Sequence, residues 1–294
     1  MWSSHPLLRL RDTRFAAVPA GYRRRIYGHD WLHLADDAGD VWLTPFAWPW
    51  LESVLPSRWF DGALYQRVGQ RLPDSTGTVY RVPVEGGRFD LVVKFNRCGQ
   101  DPLMHLNASK EGHHGNEPTW HAEFLDPFQE AAFAMELAAG SHAQPHAPHL
   151  HAQWPLAVFS PSTRYAQWQT GRSGSVFDRA ALRLAQDQDQ AGIAEDRRTD
   201  LDEERDYIIV YRWLQGENAD ECHRRGLLGD AEHHDLQQRL VSDLDGQGFR
   251  VLDMKRTHGI LRPRRDGSLL RYRDGRLICG LVDFELMQRT SLRR

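Results

Sequence analysis

The sequence VLDMKRTH at residues 251–258, followed by GLVDFE at residues 280–285, decides the expected fold. Asp253 directly follows two apolar residues, and Lys255 lies two positions further on. Asp283 ends a second apolar run and is followed by Phe284 and Glu285. Carboxylate oxygens are the ligands that Mg²⁺ prefers. The two loops therefore predict a site at which a phosphate group and its metal ion are held.

The composition narrows the class of protein. A chain of 294 residues with 40% hydrophobic content is long enough to bury a core and to form one large or two modest domains. The net charge of -3 provides no basic field for a nucleic-acid backbone. The sequence contains neither a leader-like N-terminus nor an apolar run of membrane-spanning length. We therefore expect a cytoplasmic protein that does not bind nucleic acid or span a membrane.

Lysine is rare in this chain, because only Lys94, Lys110 and Lys255 occur among 37 basic residues. Lys94 ends the apolar run LVVKF, where a buried charge without a partner is costly. It therefore requires a carboxylate or phosphate partner. The helix predicted after Asp126 offers two candidate carboxylates, Glu130 and Glu136.

Residues 1–58 are interpreted as a tryptophan-rich extension without chemistry of its own. Two short alternating runs, at 31–34 and 41–44, surround a glycine-containing turn and predict a β-hairpin. The tryptophans of this region are expected to be core and packing residues.

From residue 65 the pattern is typical of β-strands, interrupted by one helix and one polar insertion. Strands are predicted at 65–68, 77–82, 89–95, 154–159 and 207–211, a helix opening at 126–130, and an insertion at 171–206. The apolar positions 236, 240 and 244 indicate a second helix, and short hairpin strands follow as far as Asp283.

In its order of motifs, the chain resembles the protein-kinase-like superfamily, in an atypical short bacterial form. The resemblance covers residues 59–290. It rests on a loop ending at Gly77, Lys94 fifteen residues after Val79, a helix with a glutamate, Asp253 with Lys255, and a strand ending at Asp283.

The resemblance implies an α+β, bilobal protein-kinase-like fold. The N-lobe, at 59–213, would combine an antiparallel sheet with one helix and would contain the insertion. An abbreviated C-lobe would occupy 214–294, and the N-terminal β-hairpin extension would precede both lobes. ATP and Mg²⁺ are the implied cofactors, and ATP would bind between the lobes.

The resemblance also implies roles for individual residues. In the cofactor site, Gly77 and Val79 would cover the phosphates, Lys94 would hold them while paired with Glu130, and the hinge residues Tyr211, Trp213 and Leu214 would receive the adenine. Asp253 would orient the acceptor hydroxyl, and Lys255 would neutralise charge on the transferred phosphoryl group. Asp283 would bind the metal, together with His258, which occupies the position of the family's asparagine ligand.

Three features of the sequence differ from the pattern of the protein-kinase-like superfamily. Leu72 and Asp74 stand where the first two glycines of the family's phosphate loop occur, and Glu285 stands in place of the glycine after Asp283 and Phe284. The length between Asp283 and Arg294 leaves no room for an activation segment. The leading hypothesis is a Mg²⁺- and ATP-dependent phosphotransferase that acts on a protein hydroxyl. A small-molecule kinase and a pseudokinase scaffold are the alternatives.

Overall fold

The structure, a computed structural model, describes residues 2, 5–72, 75, 77–84, 86, 89–98, 124–143, 150–163, 201–202 and 205–290. The protein is α+β, with mainly antiparallel sheets and few helices. The strands, in chain order, are β1 (Arg23–Ile26), β2 (His29–Asp36), β3 (Gly39–Leu43), β4 (Gln70–Arg71), β5 (Val79–Pro83), β6 (Asp90–Phe95), β7 (His151–Ala152), β8 (Pro155–Pro161), β9 (Ile208–Arg212), β10 (Glu217–Asn218), β11 (Phe249–Val251), β12 (Gly259–Leu261), β13 (Cys279–Leu281) and β14 (Met287–Arg289). The helices are α1 (Leu51–Val54), α2 (Leu64–Val68), α3 (Pro127–Ala143), α4 (Ala219–Arg224) and α5 (Asp230–Gly246).

Eight strands form the main sheet in the order β1-β2-β3-β8-β9-β6-β5-β4, and all neighbours are antiparallel. Strand β6 lies between β9 and β5. Lys94 on β6 is opposite Val79 on β5 and Ile209 on β9. The predicted strands at 77–82, 89–95, 154–159 and 207–211 are therefore confirmed, within a residue or two at their ends.

The predicted N-terminal hairpin is also confirmed, and β2 and β3 form it. It is built into the main sheet, because β3 pairs with β8 in a register that places Val41 opposite Phe159. Trp2, Trp31 and Trp59 are fully buried, as expected for packing residues.

One predicted strand is wrong. Residues 65–68 belong to the short helix α2, not to a β-strand. Four residues are too few for the apolar pattern to distinguish a helix from a strand. Tyr65 is nevertheless buried, so the run still contributes to the core.

The two faces of the main sheet carry different partners, because side chains alternate along a strand. On one face Leu91 and Val93 of β6 join a core cluster with the N-terminal tryptophans Trp48 and Trp59. On the other face Val92 joins a cluster with the buried side of α3. Lys94 follows the register of Val92 and therefore points toward α3.

Helix α3 begins where the sequence predicts. The Asp126 carboxylate accepts hydrogen bonds from the backbone N–H groups of Phe128 and Gln129, at 2.8 and 2.9 Å, and so caps the helix. Helix α5 is also confirmed, and its residues Leu236 and Leu240 are buried.

Two smaller sheets carry the loops that contain Asp253 and Asp283. One has the order β10-β12-β13-β7, in which β13 and β7 are parallel. The other pairs β11 with β14. The backbone N–H of Val282 donates to the carbonyl of His258 at 3.1 Å, so the two loops are joined directly.

Gly216 shapes the connection from β9 to these smaller sheets. Its φ angle is +152°, and a Cβ atom at this position would lie 2.3 Å from the carbonyl oxygen of Leu261. Only glycine fits this close approach.

The predicted insertion at 171–206 lies outside the described residues, except for 201–202 and 205–206. Within the described ranges, none of the helices is long and apolar enough to cross a lipid bilayer.

Candidate functional site

Lys94 is the centre of a buried charge cluster. Its Nζ atom lies 2.9 Å from Oε1 of Glu130, 2.8 Å from Oδ1 of Asp283 and 3.2 Å from Oε2 of Glu285. The Lys94 side chain is only 8% exposed. Burial alone would lower the pKa of this lysine, but the three carboxylates more than offset that effect and raise its pKa. Lys94 is therefore a permanent cation in the interior.

Glu130, and not Glu136, is the partner of Lys94, as the resemblance implies. Glu130 lies in the first turn of α3 and is completely buried. The Tyr211 hydroxyl donates to its Oε1 atom at 2.8 Å, and the Asn96 side chain donates to Oε2 at 3.3 Å. Burial raises the pKa of Glu130, and Lys94 partly offsets that shift. These donors hold the carboxylate in a single position.

Glu136 has a different environment, although it lies on the same helix. It forms an ion pair with Arg289, its Oε1 atom lies 3.4 Å from Nε2 of His29, and its side chain is 28% exposed. Of the two candidate glutamates, Glu130 is therefore the one that contacts Lys94.

Asp283 reaches Lys94 from the loop after β13. Its φ angle is +67°, a left-handed conformation that few residues other than glycine, asparagine and aspartate tolerate. Burial acts to raise the pKa of Asp283, but the nearby Lys94 and His258 lower it well below its usual range. Asp283 is consequently ionised, and with 33% of its side chain exposed it faces the open cleft.

Glu285 and Arg97 extend the cluster, and sequence reasoning did not predict their pairing. Arg97 forms an ion pair with Oε1 of Glu285, and its guanidinium carbon lies 4.0 Å from the centre of the Phe124 ring. The backbone N–H of Leu125 donates to the carbonyl of Glu285 at 2.9 Å. A carboxylate in place of glycine after Asp283 and Phe284 was the available signal. Nothing in the sequence indicated its arginine partner, which lies 188 positions away in the chain.

Asp253, Lys255 and His258 occupy the loop between β11 and β12. Asp253 and Lys255 form an ion pair with each other. His258 is 6% exposed, and its Nε2 atom lies 3.7 Å from Oδ2 of Asp283. Burial lowers the pKa of His258 below its ordinary value, so the imidazole is neutral near pH 7.

A cleft of about 360 Å³ lies between the main sheet and the sheet that contains β12 and β13. It brings together ten of the eleven predicted site residues. They are Gly77, Val79, Lys94, Glu130, Tyr211, Trp213, Leu214, Lys255, His258 and Asp283. Asp253 does not line the cleft, although its ion-pair partner Lys255 does.

The lining of the cleft combines apolar and charged side chains. Trp213 and Leu214 line it, with Val79 and Ile260 among the other apolar residues. Lys94 and its carboxylates also line it. A flat apolar group joined to a charged group would match this arrangement.

The charges around Lys94 are compatible with a bound cation. Among the described residues, the cations Lys94 and Arg97 face the carboxylates of Glu130, Asp283 and Glu285, one more than the number of cations. Within the described ranges, no cluster of three or more His, Cys, Asp or Glu side chains has the arrangement of a metal site. Mg²⁺ commonly uses one or two carboxylates and completes its shell with water and phosphate oxygens. Asp283 therefore fits such an ion as a partial ligand set.

The sequence matches no protein-family model, and no curated protein shows significant similarity to it.

Proposed function

We propose that this protein is a Mg²⁺- and ATP-dependent phosphotransferase with a bilobal, protein-kinase-like fold, which transfers the γ-phosphate of ATP to a hydroxyl group. The eight-stranded sheet with α3 would form the N-lobe, and the smaller sheets with α4 and α5 would form the abbreviated C-lobe.

One observation carries the proposal. A buried lysine on the interior strand β6 contacts both a helix glutamate and an aspartate that follows β13, inside a cleft of about 360 Å³. A lysine that only stabilised the core would need a single partner, and burying the three charged side chains of Lys94, Glu130 and Glu285 is costly. An arrangement of this kind is expected where charged phosphates must be bound.

The lining of the cleft supports a nucleotide. The adenine would lie against Trp213 and Leu214, and the phosphates would lie near Lys94. Lys94 supplies a fixed positive charge, because Tyr211 and Asn96 hold its partner Glu130 in place. A charge fixed in advance stabilises developing negative charge without reorganisation.

Asp283 and His258 would hold the metal ion, with Glu285 adjacent to them. A bound Mg²⁺ would neutralise charge on the phosphates. Asp283 Oδ1 already contacts Lys94, so a cation at Oδ2 would leave the Lys94 contact intact. The neutral imidazole of His258 has a lone pair for a metal, and nitrogen ligands suit transition metals better than Mg²⁺.

Asp253 would accept or orient the proton of the acceptor hydroxyl, and Lys255 would offset charge on the phosphoryl group. Lys255 reaches the cleft and holds Asp253 through their ion pair. Asp253 would then act from the rim of the cleft, where an acceptor approaches from solvent.

The position of Asp253 also favours a second candidate, a nucleotide-binding scaffold without turnover. Asp253 lies outside the lining of the cleft and is neutralised by Lys255. In that case ATP would bind and would stabilise the fold, but phosphate would not be transferred.

Two measurements test the proposal. Thermal unfolding with ATP, with and without Mg²⁺, reports binding, since a ligand at 100 times its Kd adds about 2.7 kcal/mol to the free energy of unfolding. Transfer of radiolabelled γ-phosphate from ATP, to the protein itself and to hydroxyl acceptors, reports turnover. The wild-type protein should show both stabilisation by ATP and phosphate transfer, and Lys94→Met should abolish both.

Arg25→Met is the control, because Arg25 lies on strand β1 of the same sheet, pairs with Asp30 and does not line the cleft. It should retain binding and transfer. Stabilisation by ATP without transfer would favour the scaffold. An absence of both signals in the folded wild-type protein would refute both candidates.

A further inference from the structure

A second cavity, of about 670 Å³, lies on the other side of the segment that joins the two sheets. Trp213, Leu214 and Ile260 line both this cavity and the cleft that contains Lys94, so these three residues separate the two spaces. Small-molecule sites in proteins commonly have volumes of about 300–1,000 Å³. This cavity is therefore large enough for a ligand of its own.

Arg212 is placed in this cavity by aromatic side chains. Its guanidinium carbon lies 5.0 Å from the ring centre of Phe89, 5.2 Å from that of Trp154 and 5.9 Å from that of Trp50. Phe89 and Trp154 also line the cavity. Aromatic faces attract a guanidinium and restrict its motion. The cation is therefore held in a defined place before any ligand arrives.

The partners of Arg212 distinguish it from comparable arginines. Among the described residues, four arginines lie over aromatic rings, namely Arg81, Arg97, Arg212 and Arg289. Arg81 pairs with Asp90, Arg97 with Glu285 and Arg289 with Glu136. Within the residues that the structure describes, the Arg212 side chain has neither an ion pair nor a hydrogen bond.

The charged side chains that line the cavity also favour an anionic ligand. Arg81 and Asp90 neutralise each other, whereas Arg212 and Arg262 also line the cavity and have no carboxylate partner within the described ranges. A guanidinium has five N–H donors in a planar fork that matches the oxygens of a carboxylate or a phosphate. The remaining walls include the apolar side chains of Leu150 and Leu270.

We propose that this cavity is a second ligand site, which binds a small molecule carrying a carboxylate or phosphate group joined to an apolar ring. The oxyanion would accept hydrogen bonds from Arg212, and the ring would contact the aromatic and aliphatic walls. This site is separate from the cleft around Lys94, and it does not depend on nucleotide binding there.

Isothermal titration calorimetry with benzoate and with phenyl phosphate, at constant ionic strength, tests the proposal. The two probes share the ring and differ in the oxyanion. We expect at least one of them to bind the wild-type protein, and Arg212→Met to weaken that binding about tenfold or more, because hydrogen bonds to a charged group are lost. Binding of benzoate alone identifies a carboxylate ligand, and binding of phenyl phosphate alone identifies a phosphate ligand.

Arg289→Met is the matched control, because Arg289 also lies over two aromatic rings but is already paired with Glu136. It should leave binding unchanged. Arg212→Lys keeps the charge without the planar fork and should weaken binding to a smaller extent, which provides a reading if Arg212→Met does not fold. The proposal is overturned if neither probe binds, if the weakened binding is absent from both Arg212 variants, or if Arg289→Met weakens binding equally.

Discussion

Lys94 Nζ lies 2.8 Å from Asp283 Oδ1, although 189 positions separate the two residues in the chain. The contact joins the interior strand β6 of the main sheet to the loop after β13. It therefore fixes the two walls of the cleft relative to each other. Variants around this contact provide sharp tests, because several have a matched residue on the same element.

Glu130 and Glu136 form the first matched pair. We expect Glu130→Gln to weaken ATP binding strongly and to cost about 1–3 kcal/mol in the free energy of unfolding, since a completely buried partner of Lys94 loses its charge. Glu136→Gln, on the same helix, should leave ATP binding unchanged. Urea unfolding and thermal stabilisation by ATP measure the two effects. Equal loss of ATP binding in both variants would contradict the assigned role of Glu130.

Asp253→Asn should separate binding from turnover. Since Asp253 does not line the cleft, ATP binding and the KM for ATP should change little. The kcat for phosphate transfer should fall by about 100-fold or more, because the group that orients the acceptor is lost. Steady-state kinetics at saturating ATP measure this split. An unchanged kcat would remove Asp253 from the mechanism.

The pH dependence of the free energy of unfolding should show that Glu136 has a lowered pKa in the folded protein. Burial acts to raise its pKa, but hydrogen bonds from His29 and Arg289 more than offset this effect and lower the pKa. A carboxyl group with a lowered pKa in the folded state adds stability above its unfolded pKa, and this stability is lost as the pH falls below about 4.5. Urea unfolding at pH 6.5 and pH 3.5 should therefore show a smaller acid loss in Glu136→Gln than in the wild type. A loss of the same size in both proteins would show that Glu136 titrates normally.

His258→Asn should change the metal preference. The imidazole lies near Asp283, and nitrogen ligands favour Mn²⁺ over Mg²⁺ more than oxygen ligands do. We expect phosphate transfer by the wild type to be faster with Mn²⁺ than with Mg²⁺, and His258→Asn to shift the ratio toward Mg²⁺. His234→Asn, on the outer side of α5, serves as the control. A ratio that is unchanged in His258→Asn would place His258 outside the metal site.

Substitution of Gly216 and of Gly246 by alanine should change the free energy of unfolding in opposite directions. Gly216→Ala should destabilise the fold by about 2 kcal/mol or more, because the new Cβ would lie 2.3 Å from a backbone oxygen at a φ of +152°. Gly246 is the last residue of helix α5, and, apart from its chain neighbours and the backbone of that helix, no atom lies within 4 Å of a Cβ built there. Gly246→Ala should therefore stabilise the protein by about 0.5–1 kcal/mol. Thermal or urea unfolding should show shifts of opposite sign.

The local features of the fold could be predicted because they depend on neighbouring residues. The N-terminal hairpin follows from two alternating runs around one turn, and the start of α3 follows from Asp126 ahead of a proline. The pairing of Lys94 could be predicted because a charge inside an apolar strand requires a partner. The error at residues 65–68 arose because an isolated apolar run of four residues fits either a helix or a strand.

Long-range contacts could not be predicted in the same way. The register of β3 against β8 depends on the tertiary packing of two runs that are more than 110 positions apart, as Thr44 and Pro155 illustrate with a separation of 111. The ion pair between Arg97 and Glu285 is another example, since neither residue type specifies its partner. The exclusion of Asp253 from the cleft lining depends on the path of one short loop.

The pairing of β3 with β8 gives the N-terminal strands a protective role. All seven residues of β8 are buried, and without β3 its outer backbone N–H and C=O groups would lack partners. A strand with this composition and an open edge is a template for intermolecular sheet formation. A protein that lacks residues 1–44 should therefore aggregate through β8. Pairing with β3 thus removes the open edge of β8, and the N-terminal tryptophans also fill the core.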